Sequence, residues 1–180
     1  MPIGADTHPD PAQGVQTLHH GLVTPGFQFA SGRAVGRADN PFPASTLRMQ
    51  ARVLKAQFGL DLEAEIPGLV WGTVNVALAY DLRRLRPDFT VAGVDWTEGL
   101  EGAGRIAPET FSFTRCCLVH ANRDYPGLIY MPHPETKPAT NSHRYDVLEV
   151  LTSQVEGLAY QDPATVVCRA DAFEIRTEGS

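Results

Sequence analysis

The sequence predicts a mainly β fold: a barrel of about six to seven strands with one main amphipathic helix. Three observations carry this. Short runs rich in β-branched and aromatic residues recur along the chain, separated by glycine- and proline-bearing turns. Only one segment, residues 45–59, repeats its apolar residues with a helical period. No internal repeat and no second composition regime divides the 180 residues, which read as a single domain able to bury a sizeable core.

Residues 1–17, rich in Pro, Gly and Asp, read as a flexible leader, and residues 18–180 as the barrel domain. LHHGLVT (18–24) is the first strand candidate. A loop punctuated by Gly26, Gly32 and Gly36 follows and ends at Pro43. Ser45 or Thr46 can cap the helix, whose stripe is Leu47, Ala51, Leu54 and Phe58, and Gly59 sits where a left-handed C-cap belongs. LVWGTVNVALAY (69–80), FTVAGVDW (89–96), FSFTRCCLVH (111–120) and GLIYMPH (127–133) read as further strands. Residues 97–110, with three glycines and a proline, read as a mobile loop, and NRDYPG (122–127) as a tight turn. YDVLEVLTS (145–153) fits a helix as well as a strand buried on both faces. ATVVCRADAFEI (164–175) closes the chain as one strand, and the helix is expected to cover one opening of the barrel.

Composition narrows the function classes. A net charge of −6 and a pI near 5.4 argue against a nucleic-acid partner, which wants a basic surface. The cysteines, Cys116, Cys117 and Cys168, form no C-x-x-C and read as reduced, partly buried residues of a reducing compartment. No apolar run reaches the roughly 20 residues of a membrane helix, and the N-terminal stretch lacks the pattern of a secretory signal. A cytoplasmic protein without a membrane partner is expected.

The usual catalytic signatures, a phosphate loop, a G-x-S-x-G elbow or H-E-x-x-H, are absent from the sequence. A strand would send the rings of His19 and His20 to opposite faces, which argues against a joint metal site. Two other groups carry chemistry. Thr73 and Asn75 stand two apart in a strand candidate, so both project to one face, where a hydroxyl and an amide oxygen suit Mg²⁺. Gly72 beside them admits a ligand closely. The segment 140–149 holds Thr140, His143, Asp146 and Glu149, enough for general-base work and hydroxyl recognition. Taken singly, the first reads more readily as an ordinary polar sheet face and the second as capping and solvated charge.

Taken in order, GLV (21–23), the glycine-bearing loop from Gly26, the helix from Ser45, GTVN (72–75), GLIYMP (127–132), TNSH (140–143), DVLEVL (146–151) and Asp162 resemble the archaeal-type CTP-dependent riboflavin kinases. The resemblance runs over residues 18–175. It implies a cradle-loop barrel and makes 145–153 a strand. It also implies Mg²⁺-dependent phosphoryl transfer from a nucleotide triphosphate co-substrate, CTP-like, to riboflavin or a similar hydroxyl substrate. Thr73 and Asn75 would hold Mg²⁺. The region Gly21, Val23, Gly26, Gln28, Ala30 and Gly32 would cradle the phosphates through backbone N–H groups. Glu149, helped by His143, would position the attacking hydroxyl, with Gly72 and Thr140 on the ligand side. The family loop runs S-G-x-G-x-[AG]; this chain has Pro25-Gly26-Phe27-Gln28-Phe29-Ala30, with Gln28 at the second glycine. Trp71 either stacks on an aromatic ligand or packs. Two rivals stand beside this reading: a non-catalytic small-molecule-binding barrel, favoured by Gln28 and the aromatic Phe27, Phe29 and Trp71, and a metal-assisted hydrolase or lyase using His133, His143, Glu135 and Glu149.

Overall fold

A computed structural model describes residues 14–136 and 144–176. Residues 1–13 of the expected leader lie outside these, as do Thr140 and His143. Strand β1 (Gln16–Thr24) begins earlier than expected, because Gln16 and Thr17 already pair with Arg169 and Cys168. The chain continues through α1 (Thr46–Phe58), α2 (Leu62–Glu65), β2 (Val74–Leu78), β3 (Leu82–Arg84), β4 (Phe89–Val94), β5 (Glu109–His120), β6 (Arg123–Pro132), β7 (Val147–Thr152), β8 (Pro163–Arg169) and β9 (Phe173–Ile175).

Antiparallel pairing runs β6-β7-β2-β1-β8, and β5 pairs with both β6 and β8, so six strands close into a barrel. Closure leaves those strands no free edge. Strand β4 adds to β5 outside the ring, and β3 and β9 form a separate two-stranded sheet. Alternation along each strand divides the apolar residues into two cores. Val23, Val76, Leu118, Ile129, Leu148, Val150 and Val166 fill the lumen. Phe111, Phe113, Leu128, Tyr130 and Leu151 point out of the wall and pack against Leu47 and Leu54 of α1. The helix therefore covers the flank of the barrel, not an opening. Its caps are as expected: the Ser45 side chain accepts from the Arg48 N–H, and Gly59 takes φ 72°.

Several boundaries differ from the sequence expectation. The turn between β5 and β6 is Ala121-Asn122, both left-handed, and Pro126 lies within β6, paired with Cys117. It is tolerated where the β6–β7 ladder has not begun, since that starts at Gly127↔Thr152. The last strand is two, β8 and β9, broken by the turn at 170–172. Gly72 and Thr73 precede β2 instead of lying in it. The loop 95–108 is not loose. Trp96 and Thr97 are buried, and Arg105 donates two hydrogen bonds to Asp95 and one to Thr97. His19 faces the lumen and bonds Tyr80, while His20 faces out and bonds Thr165, as strand alternation requires. All three cysteines are free, and burial pushes the Cys168 thiol up to about 12. Among the described residues, no helix is long and apolar enough to cross a membrane.

Candidate functional site

A cavity of about 940 Å³ opens at the barrel rim. One wall is the outer face of β2, β6 and β7. The opposite wall is the loop 25–33, with Thr46 and Gln50 of α1 and Trp96 closing one side. Ladder register builds the first wall. Asn75 pairs with Glu149 across β2 and β7, and Glu149 pairs with Tyr130 across β7 and β6. An amide, a carboxylate and a phenol thus stand in a row, on one face.

Thr73 reaches the same place from the lead-in to β2. Its Oγ1 donates to Asn75 Oδ1 at 3.0 Å. Two ligand oxygens on adjacent corners of an octahedral Mg²⁺ stand about 3 Å apart, given metal–oxygen distances near 2.0–2.1 Å. The two oxygens are of the type Mg²⁺ takes, and their hydrogen-bonded spacing is compatible with such an ion. Among the described residues no group of three His, Cys, Asp or Glu could hold a metal. A cation here would take its remaining oxygens from a ligand and water, as Mg²⁺ commonly does.

Gly26 stands against the Asn75 side chain. A Cβ built on it would lie 2.1 Å from Asn75 Nδ2, so the loop and β2 touch through this glycine. Val23, Gly26, Gln28, Ala30, Trp71, Gly72, Thr73, Asn75 and Glu149, nine of the residues singled out in the sequence, line the cavity. Gly21 and Gly32 do not. A Cβ on Gly21 would lie 2.3 Å from the Ala77 carbonyl oxygen, and one on Gly32 would press on the Ser45 backbone. At both positions the absent side chain lets two stretches of backbone pack closely. Trp71 lines the cavity with the Arg48 guanidinium 4.9 Å over its ring.

Sequence reasoning missed Tyr130, Gln50, Glu109, Trp96 and Arg33. The buried Tyr130 hydroxyl donates to Gln50 Oε1 at 2.9 Å, and Trp96 Nε1–H donates to Glu109 Oε2 at 2.6 Å. Burial, then the nearby carboxylates of Glu149 and Glu109, raise the Tyr130 hydroxyl well above its ordinary range. Gln50 carried a signal: it is a polar residue three positions after Leu47, on the helix face that packs inward.

Of the hydrolase alternative, His133, Glu135 and Glu149 are among the described residues and do not converge, while His143 lies outside them. His133 and Glu135 pair with each other at 3.0 Å, and Glu135 lines a smaller cavity of about 140 Å³. Glu149 belongs to the large cavity. Ser112 Oγ lies 2.7 Å from His133 Nε2, which completes the outline of a nucleophile, base and orienting carboxylate. Ser112 is only 1% exposed, and its Oγ also contacts Thr90 Oγ1 at 2.7 Å. Neither Ser112 nor His133 lines either of these two cavities. The chain of groups satisfies buried polar atoms and ties β4, β5 and the turn after β6 together. No protein-family model and no curated protein sequence matches this chain.

Proposed function

We propose that this barrel is a Mg²⁺-dependent phosphotransferase related to the CTP-dependent riboflavin kinases, moving the terminal phosphoryl group of a nucleoside triphosphate to a hydroxyl of riboflavin or a similar substrate. The observation that carries this reading is the meeting of Thr73, Asn75 and Glu149 on one wall of a cavity whose other wall is the glycine-bearing loop. The sequence resemblance predicts those residues, and the cavity has room for a nucleotide or a flavin.

Thr73 and Asn75 would hold the metal through their side-chain oxygens. Mg²⁺, when bound, neutralises charge on the phosphate oxygens. Glu149 orients the attacking hydroxyl and accepts its proton. The hydroxyl oxygen bonds to the terminal phosphorus, while the bond from that phosphorus to the bridging oxygen breaks and leaves its electron pair on the nucleoside diphosphate. Positioning and charge neutralisation carry most of such a reaction. Trp71, held by Arg48 on one face, offers an aromatic surface to a ring of either ligand.

The test is a thermal-shift panel of CTP, ATP, riboflavin and FMN with and without Mg²⁺, followed by an assay for FMN. Stabilisation by CTP with Mg²⁺ and by riboflavin, with FMN formed, is the expected result. Thr73→Ala and Asn75→Ala should each abolish the Mg²⁺-dependent shift, and unchanged shifts in both would remove the metal assignment. A second reading, a binding barrel without chemistry, is favoured by Gln28 and its exposed neighbour Phe27 at the cavity mouth. Stabilisation without FMN would select it, and silence across the panel would discard the kinase.

A further inference from the structure

Four non-glycine residues among those described have left-handed backbones: Gln28 at φ 65°, Ala121 at 48°, Asn122 at 58° and Gln161 at 73°. Three of them have a local explanation. Ala121 and Asn122 make the two-residue hairpin between β5 and β6, a turn that requires positive φ at both positions. Gln161 sits in the tight turn before β8, where its N–H donates to the Val23 carbonyl.

Gln28 is different. It lies in the cavity loop, far from any hairpin, and the loop's hydrogen bonds hold its backbone in place. Its carbonyl accepts from Ser31 Oγ at 3.1 Å and from the Ala34 N–H at 3.4 Å, and two residues of the same turn, Gly32 and Phe29, are joined by an N–H···O bond of 3.1 Å. Glycine adopts this conformation without strain, whereas a residue with a Cβ does not. The bonds to Gln28 involve only its backbone and would serve a glycine equally well. The Gln28 side chain is exposed, has no hydrogen-bond partner among the described residues, and lines the cavity. Arg33 of the same loop also lines the cavity, and among the described residues its guanidinium enters no ion pair. Strain kept at a cavity by a side chain with no partner among the described residues points to a ligand.

We propose that Gln28 and Arg33 form a side-chain clamp for the phosphate-bearing end of the cavity's ligand. The inference rests on the phosphotransferase reading above and specifies how this chain would hold the phosphates. The Gln28 amide donates N–H to a phosphate oxygen, and Arg33 supplies charge and a donor fork. Such a clamp stands in for the close backbone approach that glycine would permit at position 28. Affinity for phosphate then depends on these two side chains.

The experiment compares wild type with Gln28→Gly, Gln28→Ala and Arg33→Ala, measuring Tm and calorimetric affinity for pyrophosphate and CTP, each with Mg²⁺. Gln28→Gly should raise Tm by about 1–3 °C, since backbone strain is relieved, while weakening both ligands about tenfold. Gln28→Ala keeps the strain and loses the amide, so Tm holds and affinity falls alike. Arg33→Ala should weaken binding to a similar extent and flatten its salt dependence. Wild type that binds while Gln28→Gly binds as tightly or tighter would overturn the clamp and leave the phosphotransferase reading standing. Wild type that binds neither pyrophosphate nor CTP would overturn both.

Discussion

The inner and outer faces of β2, β6 and β7 alternate residue by residue, and the two faces could hardly differ more. Val76, Leu148, Val150 and Ile129 point into the lumen and are at most 2% exposed. Their immediate neighbours Asn75, Glu149 and Tyr130 point outward into the cavity wall. One ladder thus fixes both sets. The tightly packed lumen holds the polar row in register. The loop 25–33, by contrast, faces the same cavity without a ladder and with Phe27, Gln28 and Arg33 exposed. A rigid wall suits metal and hydroxyl positioning, and an adaptable one suits ligand capture.

Substitutions should separate the two faces. The largest effect belongs to the lumen: Leu148→Ala should lower unfolding free energy by about 2–5 kcal/mol in chemical denaturation. Ligand affinity of the protein that remains folded should be nearly unchanged. Next come two glycines that look alike in sequence. Gly21→Ala drives a methyl into the Ala77 carbonyl and should destabilise by about 1–3 kcal/mol. Gly26→Ala meets only the movable Asn75 amide, so its main effect should be on Mg²⁺-dependent binding. Equal stability losses in the two would blur the distinction. Tyr130→Phe leaves the buried Gln50 acceptor without its donor and should cost about 1–2 kcal/mol.

The smallest expected effect concerns pH. Burial holds His19 and His133 below the ordinary imidazole value of 6.5, with a further push from His20 on the first and from Arg84 on the second, while Glu135 pulls His133 the other way. The unfolded chain therefore takes up protons first as pH falls. Their contribution is complete above pH 6.5 and declines as pH falls through the lowered folded values. Thermal unfolding at pH 7.5 and 5.5 in wild type and His19→Gln measures it, and a wild-type Tm independent of pH over this window would contradict it.

Much of the barrel was legible because its strands are local patterns. Alternation in 111–120 and β-branched runs at 74–78 and 164–169 need no partner to be read. Strand β3 was not, since Leu82-Arg83-Arg84 has no strand composition and forms only against β9. The stretch 97–110 reads as mobile from its glycines, yet the Arg105–Asp95 pair and the burial of Thr97 and Gly104 hold it, and neither is visible without the fold. At the site, residue types were legible and their meeting was not. Asn75 and Glu149 lie far apart in sequence, and only the β2–β7 register brings them side by side. The same holds for Tyr130, which reads as one more apolar strand residue until its neighbours are known.

The closure of the ring by β1 and β8 also governs how the chain reaches this state. His20 and Thr165, bonded across that seam, are 145 positions apart. The strands β5 and β6, joined by a two-residue turn, can form their hairpin early and locally. The β1–β8 seam must wait for nearly the whole chain, so the ring shuts last and at high entropic cost, the circumstance that slows folding. Until then β1 and β8 are open edges, and the lifetime of that open form sets how long this protein is exposed to misassembly.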